Sequence, residues 1–268
     1  MAHVWAVILG FVQGLAEFLP ISSSAHLTLI PWIFGLQHDA ALAFTSTVQF
    51  DIALHAGSTI AILIALWSDW VALAKGVVKR EPMQLKLGGF LLLTSVPGAI
   101  FGVLLEQKVQ TVFRAPWLIG STLIVFGVLL WAADRFTSKQ QPFESMTWQR
   151  ASWIGLAQAA AIVPGVSRSG ATMTVGRVLG LSREGIAKYS FMAALPIIAG
   201  GAVFGLRHVP VNELLSLDWV LGFAAAAVSS LVFMRLMLKY VHKHSFSAFM
   251  WYRIALGVFV IGLFLIRG

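Results

Sequence analysis

Six stretches of about twenty residues are almost wholly apolar, the length a helix needs to cross a bilayer, and nothing constrains the fold more. They run over Val48–Trp67, Leu87–Leu105, Ala115–Ala133, Lys188–Leu206, Leu214–Met234 and Phe249–Ile266. The second and third hold no charged residue, and the sixth holds Arg253 near one end, where a long side chain can snorkel to the interface. Only 11% of the chain is charged and 58% is hydrophobic, whereas a soluble domain carries about 25% charged residues. Lipid is therefore the expected solvent, and the expected class is an all-α integral membrane protein with about six transmembrane helices.

Two further apolar regions, His3–Leu36 and Ala151–Leu181, are each broken by a polar knot that contains proline. Their arms, about ten to fifteen residues long, are too short to cross alone and suit re-entrant helical hairpins that return to the side they entered from. The knots resemble each other. One runs from Gly10 through Gln13, Ala16, Glu17 and Pro20 to Ser22, Ser23 and Ser24; the other from Gly155 through Gln158, Ala161 and Pro164 to Ser167, Arg168 and Ser169. Each precedes three spans, an odd number, so the second copy enters the membrane inverted. The expectation is one membrane domain over 1–268, built from inverted repeats at 1–140 and 147–268, an arrangement that forms substrate sites near the midplane from broken helices.

The formal charge of +8 would suggest nucleic acid in a soluble chain. Here the basic residues lie between spans and read as topogenic charge, so no nucleic-acid partner is expected. Lys75, Lys79, Arg80 and Lys86, then Arg135, Lys139 and Arg150, then Arg235, Lys239 and Lys243 follow spans one, three and five. Only Lys108, Arg114 and Arg207 follow spans two and four. The richer set faces the cytoplasm, which puts both termini and the first hairpin outside and lets the second hairpin enter from the cytoplasm. The chain has no cysteine, which excludes disulfides and thiolate metal sites. The N-terminus lacks a basic leader and a cleavage signal, so it reads as mature protein.

Gln13 and Glu17 are four residues apart and share a helix face. A carboxylate inside an apolar hairpin is a functional candidate by default, with a loop cap or an ion pair to Arg168 as the structural reading. Any one of Ser22, Ser23, Ser24, Ser167 or Ser169 would ordinarily be an N-cap. Together they predict two short helices whose N-termini point at a common centre, where free N–H groups and the positive dipole ends make an anion site. Arg168 adds a planar fork suited to two phosphate oxygens. His26, one turn from Ser23, gives a serine with a histidine in reach and an acid nearby, the pattern of an activated nucleophile. His55, beside Asp51 on the first span, is a further intramembrane polar pair, structural or supporting. Without these side chains, inverted repeats with broken helices would favour a lipid transporter or flippase; a carrier needs the arginine and the dipoles but no nucleophile.

Gln13-x-x-x-Glu17, Phe18 to His26, and Pro164 to Thr172 resemble the two signature motifs of the bacterial undecaprenyl-pyrophosphate phosphatases, the bacitracin-resistance family. Phe50 to Gly57 is similar to a further family segment. The resemblance implies hydrolysis of undecaprenyl pyrophosphate to undecaprenyl phosphate and inorganic phosphate, which recycles a lipid carrier for cell-wall synthesis. It implies a divalent cation, Mg²⁺ or Ca²⁺, a multi-pass protein of the bacterial inner membrane, and a pocket open to the periplasm. Its partners would be the polyprenyl pyrophosphate, membrane lipids and, in a homodimer, a second copy of the chain. Ser23 matches the family's nucleophile, His26 its acid/base, Glu17 its acidic partner and phosphate-binding Arg168 its arginine. Gln13, Ser22, Ser167, Ser169 and Thr172 match polar neighbours that would contact substrate. Glu17 is the first motif's only carboxylate and so the only metal ligand there. Three mechanisms stay open: Ser23 attacking with His26 as base, His26 attacking with Ser23 as donor, and water activated by Glu17 and the cation.

Overall fold

The computed structural model describes residues 1–267 and builds them, apart from loops and short 3-10 turns, as α-helices with no β-strand among the described residues. The first knot gives α1 (Ala2–Phe18) and α2 (Ser23–Phe34), followed by α3 (Val48–Ala65), α4 (Trp67–Val78), α5 (Pro82–Leu104), the single turn α6 (Glu106–Gln110) and α7 (Pro116–Phe136). The second gives α8 (Trp148–Ala160) and α9 (Arg168–Val178), followed by α10 (Arg183–Leu206), the turn α11 (Val211–Leu214), α12 (Leu217–Tyr240) and α13 (Ser247–Arg267). Helices α3, α5, α7, α10, α12 and α13 are the six long and apolar enough to span.

Several of these helices outrun their apolar stretches. Helix α10 begins at Arg183, where Ser182 Oγ accepts from Gly185 N–H (3.0 Å) and Glu184 sits in the first turn. A hydroxyl cap and an acidic first turn stabilise a helix start outside the hydrocarbon, where hydropathy gives no signal. Helix α4 was not foreseen. Leu66 breaks the chain after α3, and an Asp69–Lys188 ion pair (2.6 Å) ties α4 to α10.

Packing crosses between the halves of the sequence. Helix α1 lies along α12 and α8 along α5; α3 also contacts α12 as α10 contacts α5, and α7 packs on α13. The contacts of α1 need bare backbone, since a Cβ on Gly14 would come within 2.0 Å of Ser229 Oγ and 2.3 Å of Ser230 N. On the other side a Cβ on Gly155 would sit 3.0 Å from the Thr94 backbone. Helices α1, α3 and α12 run in the same direction: His3 pairs with Asp218 and Phe50 meets Trp219 near their starts, while Ser58 bonds Ser230 further on.

Arg253 corrects an expectation. It does not snorkel. Its side chain is fully buried, and the guanidinium donates to Pro20 O (3.1 Å) in one knot, to Gly165 O (2.6 Å) and Val166 O (3.1 Å) in the other, and to Leu123 O (3.1 Å) on α7. The knots carry carbonyls that no helix satisfies, and a buried polar group without a partner is costly. One planar cation with five donors meets three of them at once, with Leu123 O on α7 as a fourth acceptor, and so fixes the two knots against each other.

Candidate active site

The two knots end in matching helix starts. Ser22 and Ser167 cap α2 and α9, both with positive φ (75° and 71°). Such a conformation costs a non-glycine residue on the order of 1–3 kcal/mol, and hydrogen bonds hold it. Ser22 Oγ accepts from Ala25 N–H (3.4 Å) and from Gly165 N–H (3.0 Å) across the junction, and Ser167 Oγ accepts from Gly170 N–H (3.1 Å). Ser169 Oγ reaches Glu17 O (3.1 Å) and Leu19 O (3.2 Å). Ser22, Ser167 and Ser169 therefore spend their hydroxyls on the backbone and build the junction.

The first residues of the two helices are Ser23 and Arg168, and both point at Glu17. Ser23 Oγ donates to Glu17 Oε2 (2.6 Å), while Arg168 Nε and Nη2 reach Glu17 Oε1 (3.3 Å each). Glu17 is 4% exposed, and an unpaired carboxylate there would be very costly; Arg168 supplies the opposite charge. Gln13 Nε2 donates to Glu17 Oε2 (3.0 Å) and reaches Ser58 Oγ (3.4 Å). Thr172 stands behind Arg168: its hydroxyl pairs with Ser190 Oγ (2.7 Å), and Arg168 Nη1 donates to Ser190 O (2.8 Å). The amides of Ser23, Ser24, Arg168 and Ser169 lie in first turns, where no intrahelical acceptor exists. A buried serine, an acid, a guanidinium and two helix N-termini thus converge on one point.

The histidines divide differently from the sequence reading. His26 Nδ1 bonds Ser22 O (2.7 Å), and its Nε2 bonds Tyr252 Oη (2.6 Å), with the two rings stacked. A carbonyl only accepts, so Nδ1 carries the proton and Nε2 is turned to the phenol instead of to Ser23. His55 makes the same backbone bond, Nδ1–H to Asp51 O (2.7 Å), but its Nε2 lies 3.5 Å from Ser23 Oγ and 3.3 Å from Glu17 Oε2. Asp51, one turn back along α3, pairs with Arg114 (2.9 Å). His55 was noticed for its neighbour Asp51, and its Nε2 also comes within reach of Ser23 and Glu17. Ser58, Ser190, Tyr252 and the Arg253 clamp were missed. Single serines in apolar helices give no signal, and only the rarity of an intramembrane charge marked Arg253.

Glu17 is the only carboxylate at this centre, and its oxygens already meet Arg168, Ser23, Gln13 and His55. No group of three or more His, Cys, Asp or Glu side chains that could hold a metal occurs among the described residues. Gln13 Oε1 is buried with no hydrogen-bond partner there, one neutral oxygen beside a carboxylate that an arginine neutralises. That donor set does not fit a protein-built divalent site, which takes several oxygen ligands.

A family model described as bacitracin resistance protein BacA matches residues 6–259. The chain belongs to this family. The chain is also similar to proteins named undecaprenyl-diphosphatase: one from Pelotomaculum thermopropionicum is 42% identical, with 96% of this chain and 95% of that one covered. Another from Moorella thermoacetica is 41% identical over the full length of both chains, and one from Desulforudis audaxviator is 40% identical over 98% of each. Family membership thus extends over both knots and all six spanning helices.

Proposed function

We propose that the chain is an undecaprenyl-diphosphate phosphatase, hydrolysing undecaprenyl pyrophosphate to undecaprenyl phosphate and inorganic phosphate and so recycling a lipid carrier. The observation that carries this is Ser23 Oγ held 2.6 Å from Glu17 Oε2 at a helix N-terminus that faces Arg168. A lipid carrier protein would use the arginine and the dipoles but gains nothing from a hydroxyl paired with a base.

Ser23 Oγ attacks the terminal phosphorus, and its proton passes to Glu17 Oε2 with His55 Nε2 3.3 Å away to share it. Arg168 and the first-turn amides hold the phosphoryl oxygens where negative charge develops. The P–O bond to the lipid phosphate breaks, and undecaprenyl phosphate leaves as an anion needing no proton. Water then attacks the phosphoserine, the Ser23 Oγ–P bond breaks and water's proton goes to the same pair, which returns one proton to Ser23 and gives up the other with the departing phosphate. His26 orders the loop by holding the Ser22 carbonyl. No step runs through a metal; a divalent cation that served this reaction would have to be held mainly by the substrate, since Glu17 is the one carboxylate the chain offers at this centre. Every residue named comes from one chain, so a second copy is not needed to complete the site.

The two knots are re-entrant hairpins of an inverted repeat. The crossed packing of α1 on α12 and α8 on α5, and the matching caps at Ser22 and Ser167, support this reading. Phosphate release by the purified protein in detergent, with undecaprenyl pyrophosphate and no membrane gradient, tests the hydrolase. Turnover is expected; binding without release would favour a carrier.

The mouth opens to the periplasmic side of the inner membrane, with the Thr137–Thr147 loop cytoplasmic and the Val209–Ser216 loop outside. The loop charges support this orientation. The position of His55, the most exposed of Glu17's partners at 25%, one turn from Asp51 near the start of α3, points the mouth to that end. Because the chain has no cysteine, Gln140→Cys and Asn212→Cys can be labelled singly. In intact cells an impermeant thiol reagent should reach position 212 and spare position 140, and the reverse pattern would turn the protein over.

A further inference from the structure

At the end of the molecule away from Asp51 and Arg114, a groove of about 920 Å³ lies between the last turns of α12, the 241–246 turn and the start of α13. Phe233, Met237, Tyr240 and Phe249 line it, and it runs inward to Leu19. Leu19 is two residues from Glu17, and its carbonyl accepts from Ser169 Oγ. The inner end of the groove is thus the loop on which the pyrophosphate would be cut. Lys239 and Lys243 stand at its outer end, exposed, and make no ion pair or side-chain hydrogen bond among the described residues. Their neighbour His242 is already paired with Glu184, and His244 stacks on Tyr240.

We propose that this groove is a second lipid site that binds a polyprenyl monophosphate, its chain against the aromatic wall and its headgroup between Lys239 and Lys243. This rests on the hydrolase reading, in which such a lipid is the product. Charge selects the monoester. A phosphate monoester carries about −1.5 to −2 at neutral pH, matching two lysines, whereas a phospholipid diester carries a single negative charge. Helices α3 and α12 run in the same direction, so this site lies at the opposite end from the mouth beside Asp51. Product held there would leave by the face opposite to substrate entry.

The test uses Ala248→Cys, an exposed groove position in a chain with no other cysteine. A benzophenone attached there is irradiated in nanodiscs containing tritiated undecaprenyl phosphate. Labelling should fall with unlabelled undecaprenyl phosphate but not with a tenfold excess of phosphatidylglycerol. It should drop at least about fivefold in the Lys239→Gln, Lys243→Gln variant, whose thermal unfolding is measured alongside to show that it folds. Equal competition by phosphatidylglycerol would overturn the proposal in favour of a general anionic-lipid site. Unchanged labelling in the folded lysine variant would overturn it in favour of a crevice filled by any lipid. Phosphate release by the unmodified chain in the same nanodiscs separates the two readings. Turnover without competed labelling overturns the groove alone, and competed labelling without turnover overturns the hydrolase alone.

Discussion

Ser23→Ala is expected to lose at least about a thousandfold in kcat while still binding the lipid. A positioned proton partner alone contributes roughly 10²–10⁴-fold, and removing the attacking atom costs no less. The variant should keep its fold, because Ser22 rather than Ser23 caps α2 and bridges to Gly165. Ser24→Ala, whose hydroxyl meets only Ser22 Oγ (3.3 Å), should stay within a fewfold of the parent. His55→Ala should cost about a hundredfold or more in kcat and leave KM nearly unchanged. That second readout separates a proton partner from a residue that merely packs against Glu17. Turnover of Ser23→Ala within about tenfold of the parent would reject serine attack and leave water as the nucleophile. A larger loss from His26→Ala than from Ser23→Ala would hand the attack to His26, which would then have to leave Tyr252.

The chemistry of the centre was more legible in the sequence than its wiring. Glu17, Ser23 and Arg168 could be placed together because a carboxylate, serines and an arginine are rare inside apolar helices, and an expected inverted repeat would let the two knots meet. The six spans were legible for the same reason, length and apolarity being what a bilayer demands of a helix. The partner of Ser23 was not. His26 lies at helical spacing from it, but the Ser22 carbonyl takes Nδ1 and the ring leans on Tyr252 from α13, contacts that no local pattern encodes. His55 comes near Ser23 through packing that spacing does not encode: Gly14 on α1 and Gly57 on α3 both press bare backbone against α12. Arg253 failed differently: its place near a helix end suggested an exit to water, while the knots supplied carbonyls enough to keep it inside.

Arg168→Lys is expected to lose about a hundredfold in kcat with a smaller change in KM. Charge alone would survive this exchange. The geometry would not, because Arg168 uses Nε and Nη2 on Glu17 Oε1 (3.3 Å each) and Nη1 on Ser190 O (2.8 Å), with a longer reach to Ser190 Oγ (3.5 Å). Nη2 makes only the one bond to Glu17 and keeps a second N–H for a phosphoryl oxygen. A single ammonium cannot hold the carboxylate, the Ser190 carbonyl and a phosphoryl oxygen in that planar arrangement. Satisfying Glu17 would draw it away from the phosphate; satisfying the phosphate would leave Glu17 buried and unpaired. Removing one preorganised donor costs other enzymes about 2.7–4 kcal/mol, which is a hundredfold or more in rate. The loss should fall on kcat because the phosphoryl oxygens gain charge in the transition state, whereas the apolar chain supplies most ground-state binding. A lysine variant with near-normal kcat and only a raised KM would show that Arg168 attracts the pyrophosphate without stabilising its cleavage, leaving the helix N-termini to do so alone.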